Sequence, residues 1–383
     1  MVDFVKEKYK IITIIFLIIL LGVLLVVLDS PYLTMAQKIT SGENITTSDI
    51  GMKENIEKGN LSIAFTGDVM FGRNMPGVLS LDSSPYRFVE NVTKKTDILV
   101  VNTENPFTSS GNSVKPDVPL KASPSYIPLI NGTDGMVISA NANNHVFDYG
   151  IEGMRDSIKN LDSNGITHIG AGENKQEASK PAVIEKNGHK ISIFNYMDSN
   201  NFQEYSQSVM PIAGDNSPGY SAWDDTTSVN DIKQAKENGS DIILVYMHYG
   251  NEYSRSPNED QIKISHQAID AGASAVVGAH THVTQGIEMY NGKPIFYNLG
   301  NFMFDQSNPA THSAYFVGFD VVGDNVTATV YPVYISGYLP HFMDASSGSS
   351  LLRGLNPQCD AMEIADDGTG KLHFSVDNST TKK

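Results

Sequence analysis

The stretch VVGAHTHVT, residues 276–284, places two histidines directly after a run of small and β-branched residues. Such a run predicts a buried β-strand, because short apolar segments rich in valine favour the interior of a sheet. Residues i and i+2 of an extended chain point to the same side. We therefore expect His280 and His282 to aim at one point in space from the end of this strand.

Other short apolar segments also end in polar groups of the kind that bind metal ions. Four of them run into such a group: LSIAF into Asp68, DILVVN into Glu104, MVISA into Asn144 and His145, and DIILVYM into His248. Amphipathic segments alternate with these runs, which is typical of an α/β fold. Because the carboxyl ends of parallel strands meet at one edge of a sheet, we expect these side chains to converge.

Two segments carry clear helix signals. Apolar residues recur at helical spacing from Ile151 to about Ser163, and Gly165 follows as a stop signal. A second helix is predicted to begin at the Ser256-Pro257-Asn258-Glu259 capping box and to continue to Gly272. After about residue 306 the sequence predicts strands only, with a Gly/Ser-rich stretch among them.

Composition limits the function classes. The chain has 383 residues, which one α/β domain with additions can absorb, and a formal net charge of −16 at pH 7. That charge argues against a nucleic-acid partner, since phosphate binding requires clusters of Lys and Arg. Cys359 is the single cysteine, so an internal disulfide is excluded.

The N-terminus predicts a membrane anchor. Residues 11–28 are uncharged and apolar, and three lysines precede them, close to the roughly 20 residues that a bilayer requires. The positive-inside rule then places residues 1–10 in the cytoplasm and the rest outside, as a single-pass protein of the cell membrane. A signal peptide cleaved after Ala36 is the alternative, and the anchor is favoured because the apolar run exceeds a signal h-region.

The remaining chain divides by composition and pattern. Residues 29–60 are polar and aperiodic and are interpreted as a tether. Residues 61–310 carry the alternating strands and helices of the main domain. Residues 311–383 are interpreted as a C-terminal β extension of that domain.

The order of these groups resembles the calcineurin-like metallophosphoesterases, whose signature blocks are GDxH, GDxxD, GNH, H and GHxH. More closely, the chain resembles the CapA family of capsule and poly-γ-glutamate synthesis proteins over about residues 61–306. The blocks that carry this resemblance are GDVMFGR (67–73), VNTEN (101–105), ANNHVFDYGIEGM (142–154), GITHIGAG (165–172), HYGNEY (248–253), GASAVVGAHTHVTQGIE (272–288) and NLGNFMFDQ (298–306).

The resemblance implies a fold and a set of roles. The fold would be a sandwich of two β-sheets flanked by helices. One metal ion would be held by Asp68 and His282, a second by Asn144, His248 and His280, and Glu104 would bridge them. Mixed carboxylate, amide and imidazole ligands suit one or two Mn, Fe or Zn ions. His145 would act as general acid or stabilise transition-state charge, and Arg73 would bind an anion or form a surface salt bridge.

Two departures from the phosphoesterase pattern bear on the chemistry. Met70 stands where GDxH has its histidine, so one metal site loses an imidazole. Glu104 stands where phosphoesterases place an Asp and is one methylene longer. Arg73 and the segment 301–305 then become candidates for family-specific work, such as gripping an acidic polymer.

Three functional hypotheses follow. The first is a membrane-anchored capsule-synthesis factor that binds or processes an anionic polymer such as poly-γ-glutamate at a metal site, alongside polymer ligase or export subunits. The second is an ectoenzyme that cleaves a phosphate mono- or diester. The third is a non-catalytic scaffold in which the metal cluster only stabilises the fold. The family resemblance favours the first.

Overall fold

The computed structural model describes residues 58–115, 118–202, 205–355 and 361–376. The predicted tail, the anchor at residues 11–28 and most of the tether lie outside these residues. Within the described part of the chain, no helix is both long enough and apolar enough to cross a membrane.

Eighteen strands of the described residues form two large sheets and one two-stranded ribbon. In chain order they are β1 Leu61–Val69, β2 Ile98–Thr103, β3 Met136–Ala140, β4 Thr167–Ile169, β5 Ala171–Gly172, β6 Ala182–Lys186, β7 His189–Met197, β8 Gly219–Tyr220, β9 Ile242–His248, β10 Ala275–Ala279, β11 Ile287–Tyr290, β12 Lys293–Phe296, β13 Asn301–Met303, β14 Ser313–Val322, β15 Asn325–Ser336, β16 Leu339–Phe342, β17 Glu363–Ile364 and β18 Gly370–Ser375.

Sheet I follows the order β17-β18-β15-β14-β1-β2-β3-β4, with β13 paired to β1 and β16 to β15. Its β1-β2-β3-β4 half is parallel, whereas β14, β15 and β18 run antiparallel to their neighbours. The C-terminal strands therefore belong to the same sheet as β1.

Sheet II follows the order β11-β12-β10-β9-β7-β6. Its four central strands are parallel, and the two edge strands run antiparallel to them. The ribbon pairs β5 with β8. The expected single sheet edge is wrong in this respect: β1, β2 and β3 belong to sheet I, whereas β9 and β10 belong to sheet II.

The two sheets pack face to face as a mixed α/β sandwich. Phe65 of sheet I meets Tyr246 of sheet II edge to face at 5.3 Å between ring centroids. The Tyr246 hydroxyl donates to the Thr66 carbonyl oxygen over 2.5 Å. Val100 and Val277 belong to the same buried cluster. Alternate strand residues of both sheets thus form one inter-sheet core, which brings the strand ends of both sheets to a common rim.

Six α-helices are present in the described residues: α1 Glu90–Thr93, α2 Gly150–Ser163, α3 Lys175–Ala178, α4 Thr227–Glu237, α5 Glu259–Ala271 and α6 Ala345–Leu355. Short 3₁₀ helices span Met75–Gly77, Pro124–Ile130, Ser199–Phe202 and Pro309–Thr311. Helices α4 and α5 cover the outer face of sheet II, where Ile232 and Ile264 pack with Val245 and Val276.

Two predictions about helices are corrected. Helix α5 begins after Asn258, whose side chain accepts from the Gln261 N–H in a reciprocal capping box, and not at Ser256. The Gly/Ser-rich stretch near residue 345 is helix α6 rather than a connection between strands. The Asp344 carboxylate caps its first N–H groups, and Leu352 and Leu355 enter the inter-sheet core, so tertiary burial outweighs low helix propensity.

Candidate metal centre

Asp68 stands on an irregular part of β1. The register of β1 against β2 shifts between Phe65 and Asp68. Glycine occupies position 67 because a Cβ there would lie 1.9 Å from the Gly300 carbonyl oxygen. The Asp68 N–H donates to that same oxygen over 3.0 Å. The close approach of these two backbones fixes where the Asp68 carboxylate points.

Glu104 follows β2 and lies at the centre of the candidate site. It is fully buried, and its N–H donates to the Val69 carbonyl oxygen over 2.8 Å. Glu104 Oε1 lies 3.9 Å from His248 Nε2 and 4.0 Å from His145 Nε2. Neither carboxylate oxygen has a hydrogen-bond partner among the described residues.

Glu104 belongs to two groups whose candidate ligand atoms lie within 4.8 Å of one another. The His248 group consists of Glu104, His248 and His280. The Asp68 group consists of Asp68, Glu104 and His282. Sharing one carboxylate between two buried groups is the arrangement expected of a bridging ligand.

The His248 group has neutral imidazoles. Burial, and then the neighbouring imidazoles, hold the pKa of His248 and of His280 well below the ordinary histidine value. Asn144 adds an oxygen, because its Oδ1 lies 2.9 Å from His248 Nε2. His280 Nδ1 is buried and has no hydrogen-bond partner in the described chain. The His248 Nε2–H donates to Asn144 Oδ1, so these atoms would offer a neutral imidazole nitrogen and an amide oxygen to a cation once that proton is released.

The Asp68 group carries the negative charge. Asp68 Oδ2 lies 3.2 Å from His282 Nδ1, and Asp68 Oδ1 accepts from Asn102 Nδ2 over 2.8 Å. Burial and the Asp68 charge raise the pKa of Glu104 well above its usual value. Burial alone would lower the pKa of His282, but Glu104 and Asp68 outweigh it and raise that pKa to about 9.

The residues present fit a divalent metal ion. Both oxygens of Glu104 and His280 Nδ1 are buried without a hydrogen-bond partner in the described chain, and Asp68 Oδ2 has the ion-pair contact with His282 Nδ1. Buried polar atoms of native proteins are almost always paired, so this concentration in one place calls for a ligand. A cation would compensate the two carboxylates that otherwise repel each other. The mixed donor set suits Mn, Fe or Zn.

The two histidines of the opening motif reach the site differently from the expectation. Strand β10 ends at Ala279, and His280 and His282 have φ values of 105° and 60° rather than extended ones. The Tyr253 N–H donates to the Thr281 carbonyl oxygen over 2.8 Å and holds this turn. The imidazoles consequently enter different groups instead of aiming at one point.

Met70 is directed away from the site. It is fully buried and belongs to the hydrophobic cluster on the outer side of sheet I, together with Phe71 and Met75. Its Sδ accepts from the Gly72 N–H over 2.9 Å. The position that the phosphoesterase pattern gives to an imidazole ligand is therefore part of the core.

His145 stands beside both groups and has a carboxylate behind it. His145 Nδ1 lies 2.6 Å from Asp148 Oδ2, and that oxygen also accepts from the Leu120 N–H over 2.6 Å. Burial lowers the pKa of His145, an effect that the Asp148 charge partly opposes. With Nδ1 engaged by Asp148, Nε2 is the nitrogen that faces Glu104.

Arg73 lines the cavity above the site, but its charge is paired. Its Nη2 forms a salt bridge with the buried Asp305, whose other oxygen accepts from the Asn74 N–H over 2.9 Å. The guanidinium also lies 5.3 Å from the Phe304 ring centroid. Arg73 thus contacts part of the 301–305 segment, and Asn301 of that segment is buried rather than exposed to a polymer.

The cavity above the site has a volume of about 480 Å³. Its lining includes His145, His280 and His282, two cations and several amide and aromatic side chains. A larger cavity of about 1290 Å³ lies between α6 and the start of α5, and it contains none of the predicted site residues. Cavity size alone would therefore misplace the site.

Residues 62–306 match the family model described as "Bacterial capsule synthesis protein PGA_cap". The chain belongs to this family. It is therefore a capsule synthesis protein, and the family resemblance carried by the ordered sequence blocks is confirmed.

Two relatives of this PGA_cap member are Bacillus proteins. It is 30% identical to the PGA biosynthesis protein CapA of Bacillus subtilis over 332 residues, covering 84% of each chain. It is 29% identical to the capsule biosynthesis protein CapA of Bacillus anthracis, covering 71% of this chain and 66% of that one. Among solved structures, the 5'-nucleotidase of Candida albicans matches with a TM-score of 0.38 and 9% identity, covering 68% and 48%.

Two site residues of this PGA_cap member, Asp148 and Lys115, are not predicted by the sequence patterns, and neither is the place of Asn301 within the candidate segment 301–305. Asp148 lies three residues after His145, in a block whose motif roles belong to Asn144 and His145. Lys115 reaches the cavity from a loop without any motif, and its Nζ lies 3.4 Å from His145 Nδ1 and 3.8 Å from Asp148 Oδ1. Asn301 stands beside Asp68 only because β13 pairs with β1.

Proposed function

We propose that this PGA_cap protein acts in the synthesis of poly-γ-glutamate or a similar anionic polymer, which it binds or processes at a site for two divalent metal ions. The observation that carries the proposal is the sharing of Glu104 between the His248 and Asp68 groups. The names of the Bacillus relatives support the polymer class. Mn, Fe and Zn are the ions proposed for the site.

The two-sheet sandwich also supports a proposal about the fold family. We assign the sandwich to the calcineurin-like metallophosphoesterase architecture, because β1, β2, β3, β9 and β10 all deliver candidate ligands to one rim. Asp68 and Glu104 come from sheet I, and His248 and His280 from sheet II. The signature blocks in the sequence support the same assignment.

The site resolves a conflict between charge and substrate. A chain with a net charge of −16 repels a polyanion. Inside the cavity, however, Lys115 supplies positive charge, Arg73 is paired with Asp305 and Glu252 adds one carboxylate, so bound metal ions would supply most of the positive charge. An anionic polymer would therefore be held locally at this cavity rather than along a basic groove.

Each side chain then has a chemical role. Bound metal ions would supply an activated water and neutralise charge on the substrate. Asp148 holds the His145 ring so that Nε2 faces the site and can carry a proton to a leaving group. Lys115, which packs over the Tyr205 ring at 5.1 Å, would bind a carboxylate of the polymer. Phe202 packs against the His280 ring and limits the access of water.

A metal-dependent ectophosphoesterase is the second candidate. The pairing of His145 with Asp148 favours it, because a binding protein has no need of an oriented proton donor. A non-catalytic scaffold would not need this pair either. The polymer proposal and the phosphoesterase candidate differ in the substrate that occupies the site, an anionic polymer or a phosphate ester.

For location and partners, we propose a single-pass membrane protein anchored by residues 11–28, with the domain outside the cytoplasm. The proposal rests on the uncharged run and the lysines before it. Polymer ligase or export subunits would be its neighbours at the membrane.

The test uses the purified full-length protein with Mn²⁺, with and without chelation. We expect metal-dependent binding of γ-linked glutamate oligomers, and slow or absent turnover of a phosphodiester. Loss of oligomer binding on chelation, restored by Mn²⁺, would support the polymer proposal. Fast, metal-dependent hydrolysis of the diester without oligomer binding would favour the phosphoesterase instead.

A further inference from the structure

We propose that Asn301 is a further metal ligand in the Asp68 group, in the place of the imidazole that Met70 removes. The inference rests on the metal site of the proposed function and adds a ligand that the phosphoesterase pattern does not contain. Three features of the structure support it: where Asn301 lies, how its side chain is held, and how its oxygen compares with that of Asn144.

Asn301 is placed by strand pairing. Strand β13 runs parallel to β1, and Asn301 is the direct register partner of Asp68. Side chains at directly paired positions of neighbouring strands project from the same face of a sheet. The two residues are therefore brought together by backbone pairing and not by a flexible loop. Both are buried.

The Asn301 amide is held in one orientation. Its Nδ2 donates to Gln306 Oε1 over 3.0 Å. Its Oδ1 lies 2.9 Å from His282 Nδ1, and the same nitrogen lies 3.2 Å from Asp68 Oδ2. One carboxylate oxygen and one amide oxygen thus lie within 3.2 Å of the same imidazole nitrogen.

In this structure the 2.9 Å contact is a hydrogen bond that the His282 Nδ1–H donates to Asn301 Oδ1, and its length is also compatible with two ligands on one ion. Ligand atoms each about 2.1 Å from one ion lie about 3 Å apart when the bond angles are near 90°. The His248 group has the same feature, since Asn144 Oδ1 lies 2.9 Å from His248 Nε2. Each group therefore contains one asparagine oxygen at the same distance from one imidazole nitrogen.

The Asp68 group needs such a ligand. With Met70 turned into the core, its members are two carboxylates and one imidazole. An amide oxygen is a harder donor than the thioether and suits divalent ions such as Mn²⁺, Fe²⁺ and Zn²⁺ better. The amide also adds a ligand without adding negative charge to a group that already contains Asp68 and Glu104.

A simpler role would make Asn301 a positioning residue that only orients the His282 ring. A double-mutant cycle in the full-length protein separates the two roles, with Mn²⁺ affinity of each site measured by titration and metal analysis. The variants are Asn301→Leu, His282→Ala and their combination. Asn301→Asp, which keeps the side-chain shape, is measured in both backgrounds.

We expect Asn301→Leu to weaken binding of the Asp68-group ion roughly tenfold or more, and the same substitution to weaken that binding further when His282 is already Ala. We expect Asn301→Asp to recover affinity in the His282→Ala background. The ion of the His248 group should remain bound throughout and reports that each variant is folded. The control variant is Asn164→Leu, because Asn164 lies at the exposed C-terminal end of helix α2. Asn105→Leu would be unsuitable, because Asn105 Oδ1 accepts a hydrogen bond from the Phe71 N–H.

The inference is overturned if Asn301→Leu has no effect once His282 is Ala, because Asn301 then acts only through that ring. In that case the wild type still binds two ions and the proposed function stands. A wild type that binds no ion overturns the inference and the proposed metal site together.

Discussion

The backbone N–H of His280 donates to Asp68 Oδ1 over 3.1 Å, so a ligand of one group holds the backbone of a ligand of the other. This bond crosses from sheet II to sheet I at the rim of the sandwich. It supports His280 in a left-handed backbone conformation, with φ of 105°, which is unfavourable for a residue with a Cβ. The two groups are therefore mechanically coupled.

Asp68→Ala should weaken metal binding in both groups, since it removes one ligand and the support of His280. Asp68→Asn keeps an oxygen for the His280 N–H, so it should weaken only the Asp68 group, by roughly 10- to 100-fold. Mn²⁺ titration of the two variants tests the difference. Asp97→Asn is the matched control, because Asp97 also accepts a backbone N–H, from Ser62, but far from the site. Equal losses in the two variants would contradict the coupling.

Glu104→Gln should change stability in opposite directions with and without metal. Burial and Asp68 raise the pKa of Glu104 in the folded chain. The unfolded chain therefore ionises Glu104 more easily, so the metal-free protein loses stability as the pH rises above the unfolded pKa of about 4.3. Gln removes that cost, so the metal-free variant should gain roughly 1–3 kcal/mol at pH 7. The stabilisation by added Mn²⁺ should fall sharply. Thermal unfolding with and without chelator measures both; a loss in both states would contradict the prediction.

The two groups should respond differently to pH. His248 and His280 have lowered pKa values and are already neutral at pH 7. The pKa of His282 is about 9 without metal, so this imidazole must lose a proton before it can bind an ion. Between pH 6 and 9, the apparent affinity of the Asp68 group should rise more steeply than that of the His248 group, by about an additional tenfold per pH unit, because both groups need ionised Glu104 but only the Asp68 group needs His282 to lose a proton. Parallel pH profiles would contradict the assignment.

His145→Ala should lower any metal-dependent hydrolysis by roughly 10²-fold or more and leave metal content unchanged, because the ring carries a proton rather than an ion. Asp148→Asn should lower it less, as the ring remains but loses its orientation. The control is Asp162→Asn, which removes a similar pair, 2.8 Å from His168 Nδ1, at an exposed position. Steady-state kinetics and metal analysis test this; loss of metal in Asp148→Asn would contradict the role.

Lys115→Met should weaken oligomer binding more than Arg73→Met. Arg73 forms a direct salt bridge with Asp305, which compensates its charge. Lys115 Nζ lies 3.8 Å from Asp148 Oδ1, and Asp148 Oδ2 is already bound to His145, so the Lys115 charge is less fully compensated. Lys121→Met is the control, since Lys121 lies over the Tyr149 ring and does not line the cavity. Binding measured at two salt concentrations gives the comparison. A larger effect of Arg73→Met would contradict it.

Local sequence patterns predicted much of the scaffold. Strands such as β9 and β10 are short apolar runs whose burial follows from composition, and their polar ends identified His248 and His280 as candidates. The pairing of strands across the chain has no such local signal. The closeness of Asn301 to Asp68 depends on β13 lying beside β1, and the division of strands between two sheets depends on the inter-sheet core.

Other features required tertiary context. The backbone of His280 and His282 departs from an extended strand because the His280 N–H donates to Asp68 and the Tyr253 N–H donates to the Thr281 carbonyl oxygen, which holds the turn. Helix α6 has a sequence rich in Gly and Ser, and it forms because Leu352 is buried against the sheets. Neither cause can be read from residues close in sequence.

The most direct test of the shared site is electron paramagnetic resonance of the purified protein loaded with Mn²⁺. Two ions that share the Glu104 carboxylate, roughly 3.5–4 Å apart, should give the spectrum of a magnetically coupled pair. Glu104→Gln should convert that signal to the spectrum of isolated ions or abolish binding. Only isolated-ion signals from the saturated wild type, or no bound Mn²⁺ at all, would contradict a two-ion centre built around Glu104.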